Sequence, residues 1–242
     1  MNPEIAVQSG NADKPNLLRA FLKRIAQIVA SVALLIGVGV VAAGTWHFPR
    51  LWIFAGAGVL FVVANAVILI RVNPQVIVGR SRIGSGTKLF EKIILPLYGI
   101  AGLAVPAVAG IDTVRLGNPR MPDITLPLGL ALYFAGGMPV VWAMMVNPYL
   151  EQTVRIQRER GHRVIMEGPY HLVRHPMYVG SILQQIGSVL ILGSIWAVVP
   201  AALSLVLLVV RTAFEDRTLR AELDGYEAYT TKTRYRLVPG LW

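Results

Sequence analysis

The sequence predicts an all-α fold, a polytopic membrane bundle of about six transmembrane helices. Apolar residues make up 55% of the 242 residues, and the mean hydropathy is +0.57, which is typical of membrane proteins. These residues collect into long runs, and about 20 helical residues are enough to cross the hydrocarbon core of a bilayer. Most charged residues lie between the runs, where loops are expected.

The order of the runs defines the predicted helices. The first run follows a polar, basic segment, residues 1–24. A secretory signal peptide has a similar outline, but this run is too long for a signal core and more spans follow it, so a retained helix is predicted. The last two runs are near the lower length limit for crossing and could form a tilted hairpin instead. The six predicted helices are 25–43, 51–70, 93–111, 126–146, 177–192 and 195–210.

The basic residues predict the orientation of these helices. Twenty of the 23 lysines and arginines fall before the first helix, after the sixth, or in the loops that share that side. Only Arg50, Arg115 and Arg120 fall on the other side. Cytoplasmic loops are enriched in basic residues, so both termini are predicted to be cytoplasmic. The net charge of +10 then belongs to a surface beside anionic lipid headgroups, and no nucleic-acid partner is predicted.

Several other kinds of site are disfavoured. The chain has no cysteine, which excludes disulfides, thiolate metal sites and a cysteine nucleophile. Residues 37–42 match a dinucleotide-binding pattern, but they lie inside a membrane helix with no preceding strand, so helix packing is predicted. The spacing of His162, His171 and His175 matches no common zinc pattern, and no metal site is predicted.

Residues 168–180 are the best candidate for a binding site. They read Gly-Pro-Tyr-His-Leu-Val-Arg-His-Pro-Met-Tyr-Val-Gly. Pro176 is typical of the first turn of a helix, where its missing N–H needs no partner, and this places His175 near the N-cap. Unpaired N–H groups at such an end favour an anionic group. The alternative interpretation is a basic, proline-started membrane helix with no further role.

A second polar group lies at the end of the sixth run. Arg211 and Glu215 are four residues apart and share a helix face, and Asp216 follows. The short connection at Gly193-Ser194 is expected to return this group to the neighbourhood of His175. The alternative is an ion pair with Arg211 reaching the lipid headgroups.

A surface helix is predicted at residues 217–231. Tyr226 and Tyr229 share one of its faces. They either anchor this helix in the membrane interface or cover a pocket above the motif.

Taken in order, these motifs resemble those of the isoprenylcysteine carboxyl methyltransferases and the related phospholipid N-methyltransferases. The resemblance covers roughly residues 150–242, and Asp216 stands where a second glutamate is usual. It rests on Gly168-Pro169-Tyr170, Arg174-His175-Pro176-x-Tyr178-x-Gly180, Glu215-Asp216, Tyr226-x-x-Tyr229, Arg234-x-Arg236 and Pro239.

The resemblance implies an integral membrane methyltransferase with a cytoplasmic-side, C-terminal site for S-adenosylmethionine. Its acceptor would be a lipidic or isoprenyl-type molecule, methylated at a carboxyl oxygen or an amine, and membrane lipids would surround it. The implied organisation is a cytoplasmic segment (1–24), a four-helix membrane region (25–148) and a methyltransferase region (149–242). The implied catalytic residues are Arg211 and Glu215. The implied cofactor-binding residues are Pro169, Tyr170, Arg174, His175, Pro176, Tyr178, Gly180, Glu215, Asp216, Tyr226 and Tyr229.

Two other functions remain open. Membrane sterol reductases, which use NADPH, have a similar C-terminal half. Asn and Glu usually flank the motif in that family where this chain has Met177 and Ser181, which argues against a reductase. A membrane protein that keeps the fold without catalysis is the other alternative. The oligomeric state cannot be inferred from the sequence.

Overall fold

The structure, a computed structural model, describes residues 14–81, 84 and 86–242. These residues form a helical bundle with no β-strand, as the sequence predicts. Residues 1–13 of the predicted N-terminal segment, and the basic residue Arg82, lie outside the described residues. The helices are α1 (Lys14–Ala43), α2 (Pro49–Val72), α3 (Pro74–Gly79), α4 (Leu89–Gly110), α5 (Thr125–Val146), α6 (Pro176–Leu192), α7 (Val198–Glu222) and α8 (Tyr226–Lys232).

Five helices are long and apolar enough to cross a membrane, namely α1, α2, α4, α5 and α7, so the chain is an integral membrane protein. The 17-residue α6 is about 25 Å long at about 1.5 Å per residue. It begins beside the C-terminal segment, where His175 N–H donates to Arg236 O. It ends beside the start of α2, where Arg50 donates to Leu190 O. Because α6 runs from one end of the bundle to the other, about six crossing helices are present.

Three helix boundaries differ from the predictions. Helix α1 begins at Lys14 rather than at residue 25, so described residues of the predicted N-terminal segment are helical. The short helix α3 was not predicted. The single surface helix predicted at 217–231 is wrong, because α7 continues to Glu222 and α8 begins only at Tyr226. Gly225, with φ of +80°, makes the turn between them in a conformation that glycine adopts without strain.

The loops gather at two ends of the bundle. At one end, which we call the site end, segments 147–175 and 223–242 meet the beginnings of α4 and α6. At the opposite end, buried Arg50 forms an ion pair with Asp123 at 3.1 Å. Buried Asp112 there accepts hydrogen bonds from Asn118 and Ser194. These contacts connect the beginnings of α2 and α5 with the ends of α4 and α6.

Glycines allow α5 and α6 to pack closely. A Cβ on Gly180 would stand 2.3 Å from Gly136 O, and one on Gly187 would stand 2.8 Å from Gly129 O. Small residues at such positions let two membrane helices approach backbone to backbone. This contact fixes the position of α6, and with it the motif at the beginning of that helix.

Candidate active site

A cavity opens at the site end between the beginning of α6, the end of α7, helix α8 and segment 147–165. Its empty volume, counted with the open mouth, is about 800 Å³, within the roughly 300–1,000 Å³ typical of small-molecule sites. Nine predicted site residues line it: Tyr170, Arg174, His175, Pro176, Tyr178, Arg211, Glu215, Tyr226 and Tyr229.

The first turn of α6 forms the inner wall of the cavity. His175 is the N-cap residue and Pro176 follows at the first helical position, as the sequence predicts. The His175 ring stacks on Tyr178, with parallel planes and centroids 5.7 Å apart. In the described part of the chain, His175 Nε2 makes no hydrogen bond of good geometry. Its nearest partner is Asp216 Oδ1 at 3.5 Å, so this buried nitrogen keeps capacity for a ligand.

Asp216 ties the motif to α7. It has no exposed surface, and its oxygens accept hydrogen bonds from Arg174 (2.7 and 3.2 Å), Arg236 (2.9 Å) and Tyr226 (3.1 Å). Each carboxylate oxygen is therefore occupied by the chain's own side chains. Asp216 does not line the cavity, and its position is that of a group that holds cavity residues in place.

The segment after α8 completes the motif. Arg174 N–H and His175 N–H donate to Tyr235 O and Arg236 O at 2.9 and 3.0 Å. The Arg174 guanidinium donates to two further carbonyl groups, at residues 233 and 234. Leu237 packs with Tyr178 and Leu208 in a buried cluster. The backbone at the beginning of α6 is thus held by residues about 60 positions later in the chain.

Arg211 lies beneath the cavity and has partners that the sequence did not indicate. Its Nε donates to Glu91 Oε1 at 2.9 Å, and its Nη2 donates to Gln152 O at 2.8 Å. Its guanidinium also lies 5.4 Å from the centre of the Tyr178 ring. The ion pair that was the alternative interpretation of Arg211 is formed with Glu91 and not with Glu215. Glu215 accepts a hydrogen bond from the Tyr178 hydroxyl.

The tyrosines form a wall on the other side of the cavity. Tyr229 donates to Tyr170 O at 2.6 Å, and the Tyr170 hydroxyl accepts from Asn147 at 2.9 Å. Burial raises the pKa of Tyr170 and Tyr226, and raises that of Tyr229 to about 12. All three hydroxyls are therefore neutral at physiological pH. Their rings offer an apolar, electron-rich surface that is fixed by hydrogen bonds.

Segment 147–165 supplies a lid-like wall that sequence reasoning missed. His162 stacks on Tyr149 at 4.5 Å, and its Nδ1 accepts from Gln157 N–H at 3.3 Å. Burial, and then the charge of Arg160, lower the pKa of His162 to about 4, so its ring is neutral at pH 7. Tyrosine and histidine in a polar stretch are too common to single out, and only the fold brings them over the α6 motif.

Three predicted cofactor-binding residues do not line the cavity: Pro169, Gly180 and Asp216. Pro169 is buried in a short 3₁₀ turn, and its carbonyl accepts from Leu172 N–H. Gly180 faces α5 rather than the cavity, because a Cβ at this position would meet Gly136 and Val140. Their spacing in the motif reflects helix packing and turn formation.

The structure therefore combines a membrane helical bundle with an open cavity that most of the predicted site residues line. Residues 124–223 match the family model of the phospholipid methyltransferases. The match spans α5 to α7 and includes the α6 motif, Arg211 and the acidic pair. It confirms the resemblance to membrane methyltransferases over residues 124–223. No curated protein matches the chain.

Proposed function

We propose that this protein is an S-adenosylmethionine-dependent methyltransferase that acts on a lipidic acceptor. One observation carries the proposal: the beginning of α6, the end of α7 and the α8 tyrosines, which are far apart in sequence, surround one cavity. Most of that cavity belongs to the segment that matches the phospholipid methyltransferase family. The proposed division of the chain at residues 148 and 149 stays a prediction.

The cavity residues fit S-adenosylmethionine in charge and shape. Aromatic faces attract a cation such as a sulfonium, and five tyrosines line the cavity. The beginning of α6 and His175 suit the carboxylate of the methionine portion, since an N-terminal helix end favours an anion. Glu215 can accept hydrogen bonds from hydroxyl or ammonium groups. Asp216, whose oxygens are already occupied, would hold Arg174 and Tyr226 rather than touch the cofactor.

S-adenosylmethionine supplies an electrophilic methyl group on a positively charged sulfur. The task of the protein is to hold the acceptor in line with that group and to keep water away. The first turn of α6 and the tyrosine wall would orient the two molecules. Segment 147–165 would cover them from the aqueous side.

A carboxylate that faces the cavity, Glu215, suits an amine acceptor. Arg211 already binds Glu91 and Gln152 O, so its guanidinium is largely occupied by the chain itself. Glu215 lines the cavity and accepts a hydrogen bond from the Tyr178 hydroxyl, so it faces the space where an acceptor would bind. An amine must lose a proton before it attacks, and Glu215 would accept that proton.

The experiment is calorimetric titration of the purified protein with S-adenosylmethionine and with NADPH. We predict binding of the former alone, and at least about tenfold weaker binding for His175→Ala and for Glu215→Ala. This magnitude is that of one lost hydrogen bond to a charged group, about 1.5–3 kcal/mol. Glu222→Ala is the matched control, because Glu222 pairs with Lys88 at an exposed position. Unchanged affinity in both site variants would refute the site, and binding of NADPH alone would indicate a reductase.

A further inference from the structure

Glu91 is a buried carboxylate beside the cavity to which the proposed function gives no role. It lies in the first turn of α4, with 1% of its surface exposed. Its Oε1 atom accepts a hydrogen bond from Arg211 Nε at 2.9 Å. Its Oε2 atom accepts no hydrogen bond of good geometry in the described part of the chain. Arg211, which lines the cavity, is therefore the cation that compensates the charge of Glu91.

Two further contacts hold the beginning of α4 against the end of α7. Phe90 stacks on Phe214 with ring centroids 5.1 Å apart, and Lys88 forms an ion pair with Glu222 at 2.6 Å. Helix α4 lies outside the segment 124–223 that matches the phospholipid methyltransferases. A helix from outside that segment thus supplies this carboxylate to the site, at a position fixed by packing.

Two carboxylates could pair with Arg211, and the structure pairs it with one of them. Glu215 lies one helical turn further along α7, at a spacing at which opposite charges can pair on a helix. In the structure Glu215 instead accepts a hydrogen bond from the Tyr178 hydroxyl. The Arg211 guanidinium donates to Glu91 and, at 2.8 Å, to Gln152 O. The carboxylate of Glu215 is therefore left at the cavity, which it lines.

Burial makes the choice of partner matter. Arg211 has 8% of its surface exposed, and a buried charge without a partner is strongly destabilising. If the charge of Glu91 were removed, the carboxylate on the same face of α7, Glu215, would be the replacement partner. Pairing with Arg211 would draw Glu215 away from the Tyr178 hydroxyl and away from the cavity.

We propose that Glu91 is a positioning residue of the site: it pairs with Arg211 and thereby leaves the Glu215 carboxylate free to face the cavity. The role of Glu215 toward ligands rests on the proposed function, whereas the competition of the two carboxylates for Arg211 does not. Glu91 itself does not line the cavity. It acts through Arg211, and its effect on a ligand is an effect on the availability of Glu215.

Thermal unfolding of the full-length protein in detergent tests this competition without any ligand. Glu215→Gln is introduced into the wild type and into Glu91→Gln. In the wild type it should change the melting temperature little, because Arg211 keeps Glu91 as its partner. In Glu91→Gln it should lower the melting temperature by at least about 5 °C more, because Arg211 then loses its replacement partner as well.

Glu222→Gln provides the matched control background. It breaks the neighbouring ion pair between Lys88 and α7 and leaves Arg211 paired, so Glu215→Gln should cost as little there as in the wild type. If Glu91→Gln fails to fold, Glu91→Asp replaces it. This variant keeps the charge but draws it back by one methylene group, so Glu215→Gln should still cost more than in the wild type. An equal cost of Glu215→Gln in the wild type and in the Glu91 variant would overturn the proposal.

Calorimetric titration of the same variants with S-adenosylmethionine tests the consequence for a ligand. Glu91→Gln should weaken binding severalfold in the wild type and cause no further loss in Glu215→Gln, because its effect passes through Glu215. Losses that multiply in the double variant would show that Glu91 acts independently, and would overturn the proposal. Coupled melting temperatures without any S-adenosylmethionine binding would reject the proposed function and keep the positioning role. S-adenosylmethionine binding with uncoupled melting temperatures would reject the positioning role alone.

Discussion

At the scale of single residues, a carboxylate with no exposed surface stays charged only when cations and donors surround it. Asp216 meets this condition through Arg174, Arg236 and Tyr226. It thereby joins α7 to the beginning of α6 and to the segment after α8. Glu215, one residue earlier, lines the cavity instead. Two adjacent acidic residues thus have separate positions, one structural and one facing the ligand space.

We predict that Asp216→Asn destabilises the protein by about 3–5 kcal/mol, because it leaves Arg174 buried without a compensating charge. A fall in melting temperature in detergent would measure this loss. Glu215→Gln is the matched variant on the same turn of helix, and it should melt close to the wild type. Equal melting temperatures for the two variants would contradict the structural role of Asp216.

At the scale of helices, the contact between α5 and α6 decides where the motif lies. Gly136 and Gly180 leave no room for a side chain between the two backbones. Gly180→Ala should therefore force the helices apart and destabilise the fold by about 1–3 kcal/mol, the usual effect of overpacking. Thermal unfolding measures the change.

Gly102→Ala is the control for that substitution, because a Cβ at Gly102 of α4 meets no atom within 4 Å. This variant should keep or slightly raise the melting temperature, since alanine favours a helix over glycine. A Gly180→Ala protein that melts like the wild type but binds S-adenosylmethionine more weakly would instead restore Gly180 to the cofactor site.

The membrane helices could be predicted from the sequence, because a long apolar segment in a membrane adopts few structures other than a helix. The break between α7 and α8 could not, since polar residues continue on both sides of Gly225. The gathering of His175 and Glu215 at one cavity followed from the short connection between α6 and α7. Glu91 was missed because its partner, Arg211, lies 120 residues away. Local spacing instead favoured Glu215 as the partner of Arg211.

At the scale of the whole molecule, the two ends of the bundle differ in charge. Arg50, one of the three basic residues assigned to the opposite end, is buried and paired with Asp123. The site end contains most of the others, including Arg174, Arg211 and Arg236. Since basic residues are retained in the cytoplasm, we predict that the site end and both termini are cytoplasmic.

Reporter fusions test this orientation and the number of crossings together. A reporter placed after Arg115 and one placed within residues 193–197 should both be non-cytoplasmic, whereas one placed after Arg160 should be cytoplasmic. A cytoplasmic signal from the first would reverse the orientation. A cytoplasmic signal from the second alone would mean that α6 does not cross.

The carbonyl groups of residues 235 and 236 accept hydrogen bonds from Arg174 and His175. Their place near the end of the chain determines when during synthesis these bonds can form. Chains are synthesised from the N-terminus, and earlier parts fold first. All six crossing helices are therefore made before these carbonyls leave the ribosome. Until then, the beginning of α6 lacks its backbone partners. We therefore expect the beginning of α6 to reach its final position only in a late step of membrane biogenesis.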